Sequence, residues 1–88
     1  MAEVVYSARA VEHIERAFAA MHAVMAIQSA VDILAAHPLI GRRVEEELRE
    51  LVISYGQTGY VALYRHVIAR DEVRILAIRH QRELGFLP

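Results

Sequence analysis

The sequence predicts an α+β fold, a helical hairpin packed on one face of a small antiparallel sheet, in the order β-α-α-β-β-β. Three observations predict it. Three short apolar runs, Leu48–Tyr55, Tyr60–Val67 and Val73–Ile78, are divided by Gly56-Gln57-Thr58-Gly59 and by polar Ala69-Arg70-Asp71-Glu72, which is strand chemistry with turn chemistry between. Upstream, two stretches carry apolar residues at three- and four-residue spacing, the period of a helix. The chain has 88 residues, room for a single domain spanning 1–88.

Ala2–Tyr6 is short, β-branched and aromatic, and reads as a first strand. Ser7 is a good N-cap for a helix beginning at Ala8. From Ala8 to about Ala20 the apolar stripe is Val11, Ile14, Ala17, Phe18 and Met21. Glu12 and Arg16 form an i,i+4 pair in the favoured order. A second helix is expected from about Met25 to Ala36, with Ile27, Ala30, Val31 and Leu34 on one stripe. It ends at His37, because Pro38 disfavours α conformation in the residue before it. Between Ala19 and Ile27 there is neither Gly nor Pro. This stretch admits two readings: a short hairpin with its turn near Met21–Val24, or one fused helix that carries the first strand away and exchanges it between two chains as a homodimer. Pro38 to Glu47 reads as a loop with Gly41 as its flexible point. Glu45-Glu46-Glu47 reads as solvated surface, with steering of a basic partner as the alternative.

Composition narrows the function. Hydrophobic residues make up 56% of the chain, above the usual ~45–50%, and so small a domain hides only about 60–65% of its unfolded surface. The excess points to a partner. All ten basic residues are Arg, and half of them lie at or after Arg65. Arginine forks suit carboxylates and phosphates better than mobile ammonium groups do. The net charge is −1 and the pI about 6.5. The absence of Cys excludes disulfides, zinc thiolates and a thiol nucleophile. The five histidines are scattered, with no metal-ligand spacing, so no metal or cofactor is expected. No secretory leader precedes Tyr6, and no uninterrupted apolar run reaches the ~18 residues of a membrane span. A soluble, cytoplasmic protein with no membrane partner is the expectation.

Alternation sorts the strands into faces. Arg49, Leu51, Ile53 and Tyr55 oppose Glu50, Val52 and Ser54. Tyr60, Ala62, Tyr64 and His66 oppose Val61, Leu63, Arg65 and Val67. Val73, Ile75 and Ala77 oppose Arg74, Leu76 and Ile78. Both faces are largely apolar, yet one hairpin covers only one, and a free antiparallel face should be polar. Either loops and the chain end cover the second face or a partner does; the second reading is preferred, with Val52, Val61, Leu63, Leu76 and Ile78 as the partner-binding surface, joined at its margin by Arg65, Arg79, Arg82 and Phe86.

Leu48-Arg49-Glu50-Leu51-Val52-Ile53-Ser54-Tyr55-Gly56, Gly59-Tyr60-Val61-Ala62-Leu63-Tyr64-Arg65 and Ala77-Ile78-Arg79-His80-Gln81-Arg82-Glu83 resemble the RelE/ParE superfamily of bacterial type II toxins. So do Tyr6-Ser7-Ala8-Arg9-Ala10 and His37-Pro38-Leu39-Ile40-Gly41-Arg42. The resemblance implies a RelE/ParE-like fold, with a hairpin shorter than usual in the family. It also implies a plasmid-stabilisation function, with a cognate antitoxin lying over the open face.

The superfamily holds two activities. The RelE branch cleaves messenger RNA on the ribosome with basic residues on the open face and a tyrosine near the end. Where that branch has two lysines on the second strand, this chain has Val52 and Ser54. Where it has an arginine after Gly-Tyr, this chain has Val61. Arg82 matches the tail arginine, and Phe86 near the final tyrosine has no hydroxyl. Substitutes for a nuclease would be Arg65, Arg79, His80 and Arg82; for His80 the plainer role is a hydrogen-bonded strand-end histidine. A ribosome-directed protein should also be strongly basic. The expectation is a ParE-like toxin that is not a nuclease, binds DNA gyrase and reads no nucleic-acid sequence directly. An mRNA endonuclease and a non-toxic, antitoxin-binding member are the alternatives.

Overall fold

A computed structural model of the chain describes residues 1–16, 21–55 and 58–81. The elements are β1 (Glu3–Tyr6), α1 (Ala8–Arg16), α2 (Met21–Ala36), β2 (Arg42–Glu45), β3 (Leu48–Tyr55), β4 (Thr58–Val67) and β5 (Glu72–His80). The strands form one five-stranded sheet in the order β1-β5-β4-β3-β2. The β2–β3, β3–β4 and β4–β5 pairs are antiparallel, whereas β1 runs parallel to β5. The sheet is therefore mixed rather than wholly antiparallel. It also has one strand more than expected, because Arg42–Glu45 pairs along β3 where a loop was read.

Both helices pack against the sheet, α1 on β5 and β1, α2 on β3 and β1. The α2 stripe is as the periodicity predicts, with Ile27, Val31 and Leu34 completely buried. They meet Ile53, Ala62, Tyr64, Val73, Ile75 and Ile78 from the strands. The α1 stripe is rotated from the expected one. Val11 is 42% exposed, while Ala10 and His13 are buried. Met21–Val24, the expected turn, lies inside α2; the junction itself, 17–20, is outside the described residues. β1 pairs in register with β5 of its own chain, and Ala2 N–H donates to Ala35 C=O at 2.8 Å. The first strand is thus held in its own sheet.

A bulge in β5 positions the rest. Leu63 pairs with Ala77 but Tyr64 pairs with Ile75, so Leu76 is the extra residue. A bulge leaves ladder groups unpaired and re-aims the residues beyond it. Here Ser7, just before α1, and His13 within it bond to the β5 backbone at and just beyond the bulge. Ser7 Oγ donates to Leu76 C=O at 3.0 Å and accepts from Ala10 N–H at 3.1 Å, capping the helix in the same act. His13 Nδ1 accepts from Ile78 N–H at 2.9 Å. That acceptor role requires the proton of the neutral ring to sit on Nε2.

The 37–41 segment is fixed as firmly. Gly41 N–H donates to Tyr64 Oη at 2.8 Å, and Arg49 Nη1 donates to Gly41 C=O at 2.9 Å and Leu39 C=O at 3.2 Å. A Cβ on Gly41 would stand 2.6 Å from the Tyr64 ring and 2.7 Å from Glu50 C=O. Gly41 is there for close approach, not as a flexible point. Burial raises the Tyr64 phenol above its usual pKa, partly offset by the Gly41 hydrogen bond and Arg49. Burial, then Asp32, raises Tyr6 likewise.

Candidate partner-binding face

The sheet face away from the helices is laid out by the strand registers. One row runs Arg42, Glu50, Leu63, Ala77 across β2 to β5. The next is Val52, Val61, Arg79. On the other side lies Leu48, Arg65, Arg74, Val5. Val52 is 59% exposed, yet Val61 is only 4% exposed and Ala77 1%. Leu63 and Leu76 are half-buried. The exposed oil on this face is thus narrower than the alternation implies, and centres on Val52.

Ile78 is the clear correction. It is 4% exposed and belongs to the helix-side core. The one-residue bulge at Leu76 turned every later side chain over, because side-chain direction alternates along a strand. Ala77 and Arg79 therefore take the open face, and Ile78 leaves it.

Electrostatically the face is built from arginines and few carboxylates. Glu50 lies between two of them, with Oε1 at 3.1 Å from Arg42 Nη2 and Oε2 at 4.0 Å from Arg79 Nη2. Arg79 also donates to His80 C=O at 3.3 Å and Gln81 C=O at 3.4 Å. Arg74 pairs with Glu72 at 2.9 Å. Arg65 takes neither: Glu50 is engaged by Arg42 and Arg79, and Arg65 Nε is buried without a hydrogen-bond partner.

The candidate nuclease residues are not brought together. His80 pairs across the strands with Tyr60, a core-packed residue on the helix side, and their rings meet edge to face at 5.4 Å. Arg65 and Arg79 share the other face, but Arg79 pairs with Val61, four residues along β4 from Arg65, which sets them about 13 Å apart. His80 thus stands on the helix side while Arg65 and Arg79 stand on the open one. Arg82 and Phe86 lie outside the described residues. Among the described residues no group of three His, Asp or Glu could hold a metal ion, and no helix is long and apolar enough to cross a membrane.

Three features escaped the sequence. β2 is too short and too charged to carry a period. The bulge has no marker, since Leu76-Ala77 reads as ordinary strand. His13 counts in the sequence only among scattered histidines, and the expected α1 stripe through Val11 and Ile14 leaves it off the buried side where it stands.

Two similarities to known proteins accord with this geometry. The family model for the ParE toxin of the type II toxin–antitoxin system parDE matches residues 4–85. The chain is also 43% identical over 65 residues to Toxin RelE3 of Caulobacter vibrioides (strain ATCC 19089 / CIP 103742 / CB 15), covering 74% of this chain and 68% of that protein.

Proposed function

This chain belongs to the RelE/ParE superfamily of type II toxins, and on that premise we propose that it halts growth by binding a cellular target, DNA gyrase, rather than by cutting RNA. A cognate antitoxin lies over the open sheet face and neutralises it, in the cytoplasm and in the service of plasmid stabilisation. One observation carries the reading. Val52 and Val61 stand side by side on that face, where the resemblance places basic residues in the nuclease branch. A phosphodiester transfer needs charge stabilisation and proton transfer at one point. Of the arginines on this face, Arg42 and Arg79 are held by Glu50 and Arg74 by Glu72.

The name of the Caulobacter relative keeps the nuclease reading in view. Induced expression, with DNA supercoiling and messenger RNA integrity followed in parallel, separates the two. Altered supercoiling with intact message supports the gyrase reading. Codon-positioned cleavage in a purified translation reaction, abolished by Arg82→Ala, overturns it.

A further inference from the structure

Arg65 is an arginine of the open face without an ion pair among the described residues. It is half-buried, its Nε is inaccessible to solvent, and no acceptor reaches that atom. Directly across β5 stands Arg74, a like charge, itself neutralised by Glu72 at 2.9 Å. Like charges directly opposite are unfavourable, and a buried donor without an acceptor is a free-energy cost the fold ordinarily avoids. Beside Arg65 is a cavity of about 230 Å³, lined by Arg65, Leu48 and the three glutamates Glu45, Glu46 and Glu47. Those glutamates form the exposed tip of the β2–β3 hairpin, and none of them is within ion-pair distance of Arg65.

We propose that Arg65 and the Glu45–Glu47 tip together recognise a two-signed segment of the antitoxin. One carboxylate enters the cavity and takes the Arg65 guanidinium; a neighbouring Lys or Arg of the same segment meets the glutamates. This rests on the reading that an antitoxin covers this face, and adds which chemistry it presents and where. The charge pattern selects the occupant. A nucleic-acid backbone would bring repeated negative charge against three carboxylates, whereas a peptide can alternate its signs at this spacing. A carboxylate also suits the planar fork of Arg65, which binds two oxygens at once. Leu48 in the cavity wall and Leu63 next along β4 supply the apolar floor on which such a segment would lie.

The test is titration calorimetry of the chain with its cognate antitoxin. Arg65→Gln should weaken binding roughly 30-fold or more, as when one partner of a buried charge pair is truncated. Arg65→Lys should fall between the two, keeping the charge and losing the fork. Changing each antitoxin carboxylate in turn to its amide should find one whose loss abolishes the effect of Arg65→Gln. Neutralising Glu45, Glu46 and Glu47 together should chiefly slow association, and more so at low salt. Arg65→Met is the folding control: it removes the buried, unpartnered Nε, so the free chain should melt no lower than wild type.

Wild-type affinity in the Arg65 variants, or the absence of any coupled carboxylate, overturns the proposal while leaving the antitoxin reading intact. So does loss of binding to a short oligoribonucleotide with antitoxin binding unchanged, which makes Arg65 a phosphate site. Failure of the wild-type chain to bind the antitoxin overturns both readings together.

Discussion

The bulge in β5 holds its shape through two side chains, Ser7 and His13, and replacing His13 measures how much that matters. His13 is 5% exposed, and its Nδ1 accepts from Ile78 N–H at 2.9 Å. His13→Leu keeps an apolar body of similar size and removes the acceptor. The Ile78 amide is then left buried without a partner, which costs about 1–3 kcal/mol. An 88-residue domain has a total stability of only about 4–13 kcal/mol. At ~4–8 °C per kcal/mol for a domain of this size, the melting temperature should drop by roughly 4–24 °C.

His13→Asn is the informative partner variant. The Asn Oδ1 sits where His Nδ1 does and can accept the same hydrogen bond, so it should recover part of the loss despite its smaller volume. Urea unfolding of the three proteins, compared at constant m, gives the free-energy differences. Amide exchange gives the local readout: Ile78 should lose protection in His13→Leu beyond what the global change accounts for. A His13→Leu variant as stable as wild type, or a His13→Asn variant no better than His13→Leu, would refute this role for His13.

The face assignment gives a second prediction: Ile78→Ala should cost about 2–5 kcal/mol as a core truncation, while Val52→Ala should stay within about 0.5 kcal/mol and weaken antitoxin binding. Equal effects of the two on thermal melting would refute the placement of the bulge. Gly41→Ala should destabilise by about 1–3 kcal/mol, since its Cβ would stand 2.6 Å from Tyr64, and it should cost less in a Tyr64→Leu background than in the wild-type chain, read as a double-mutant cycle by thermal melting. Burial raises Tyr6 and Tyr64 in the folded chain, so the unfolded chain releases these protons first. The stability they contribute is complete below the unfolded pKa of about 10 and is lost as pH rises through the folded values. Urea midpoints across the alkaline range should fall, and Tyr64→Phe should flatten that fall; an unchanged slope refutes it. Arg42→Gln should cost the free chain under about 1 kcal/mol by denaturant midpoint, because Arg42 is largely exposed in its pair with Glu50 and such pairs contribute little.

What was legible in the sequence is what repeats. Three apolar runs between turn residues became β3, β4 and β5, and the period of Ile27, Val31 and Leu34 became the buried stripe of α2. What was illegible depends on one residue meeting another far along the chain. β2 is defined by pairing with β3, and β1 by pairing in parallel with β5 near the other end of the chain. No local pattern encodes either. The candidate face lies between these cases. Period two assigned Val52, Val61, Leu63 and Arg65 to it, as the registers do. The same rule put Ile78 there because nothing in Leu76-Ala77 announces an extra residue.

The physical trace of the bulge was nonetheless present, in Ser7 and His13. A helix that offers one acceptor and one hydroxyl toward a strand has groups to satisfy, and a regular ladder would leave them nothing to bind. Their partners are Leu76 C=O, at the bulge, and Ile78 N–H, two residues beyond it and past the end of the β1 pairing. The bulge also shapes the candidate face: it sends Arg79 to the open side beside Val61 and Val52, within reach of Glu50, while Arg65 on the same side has no ion pair among the described residues.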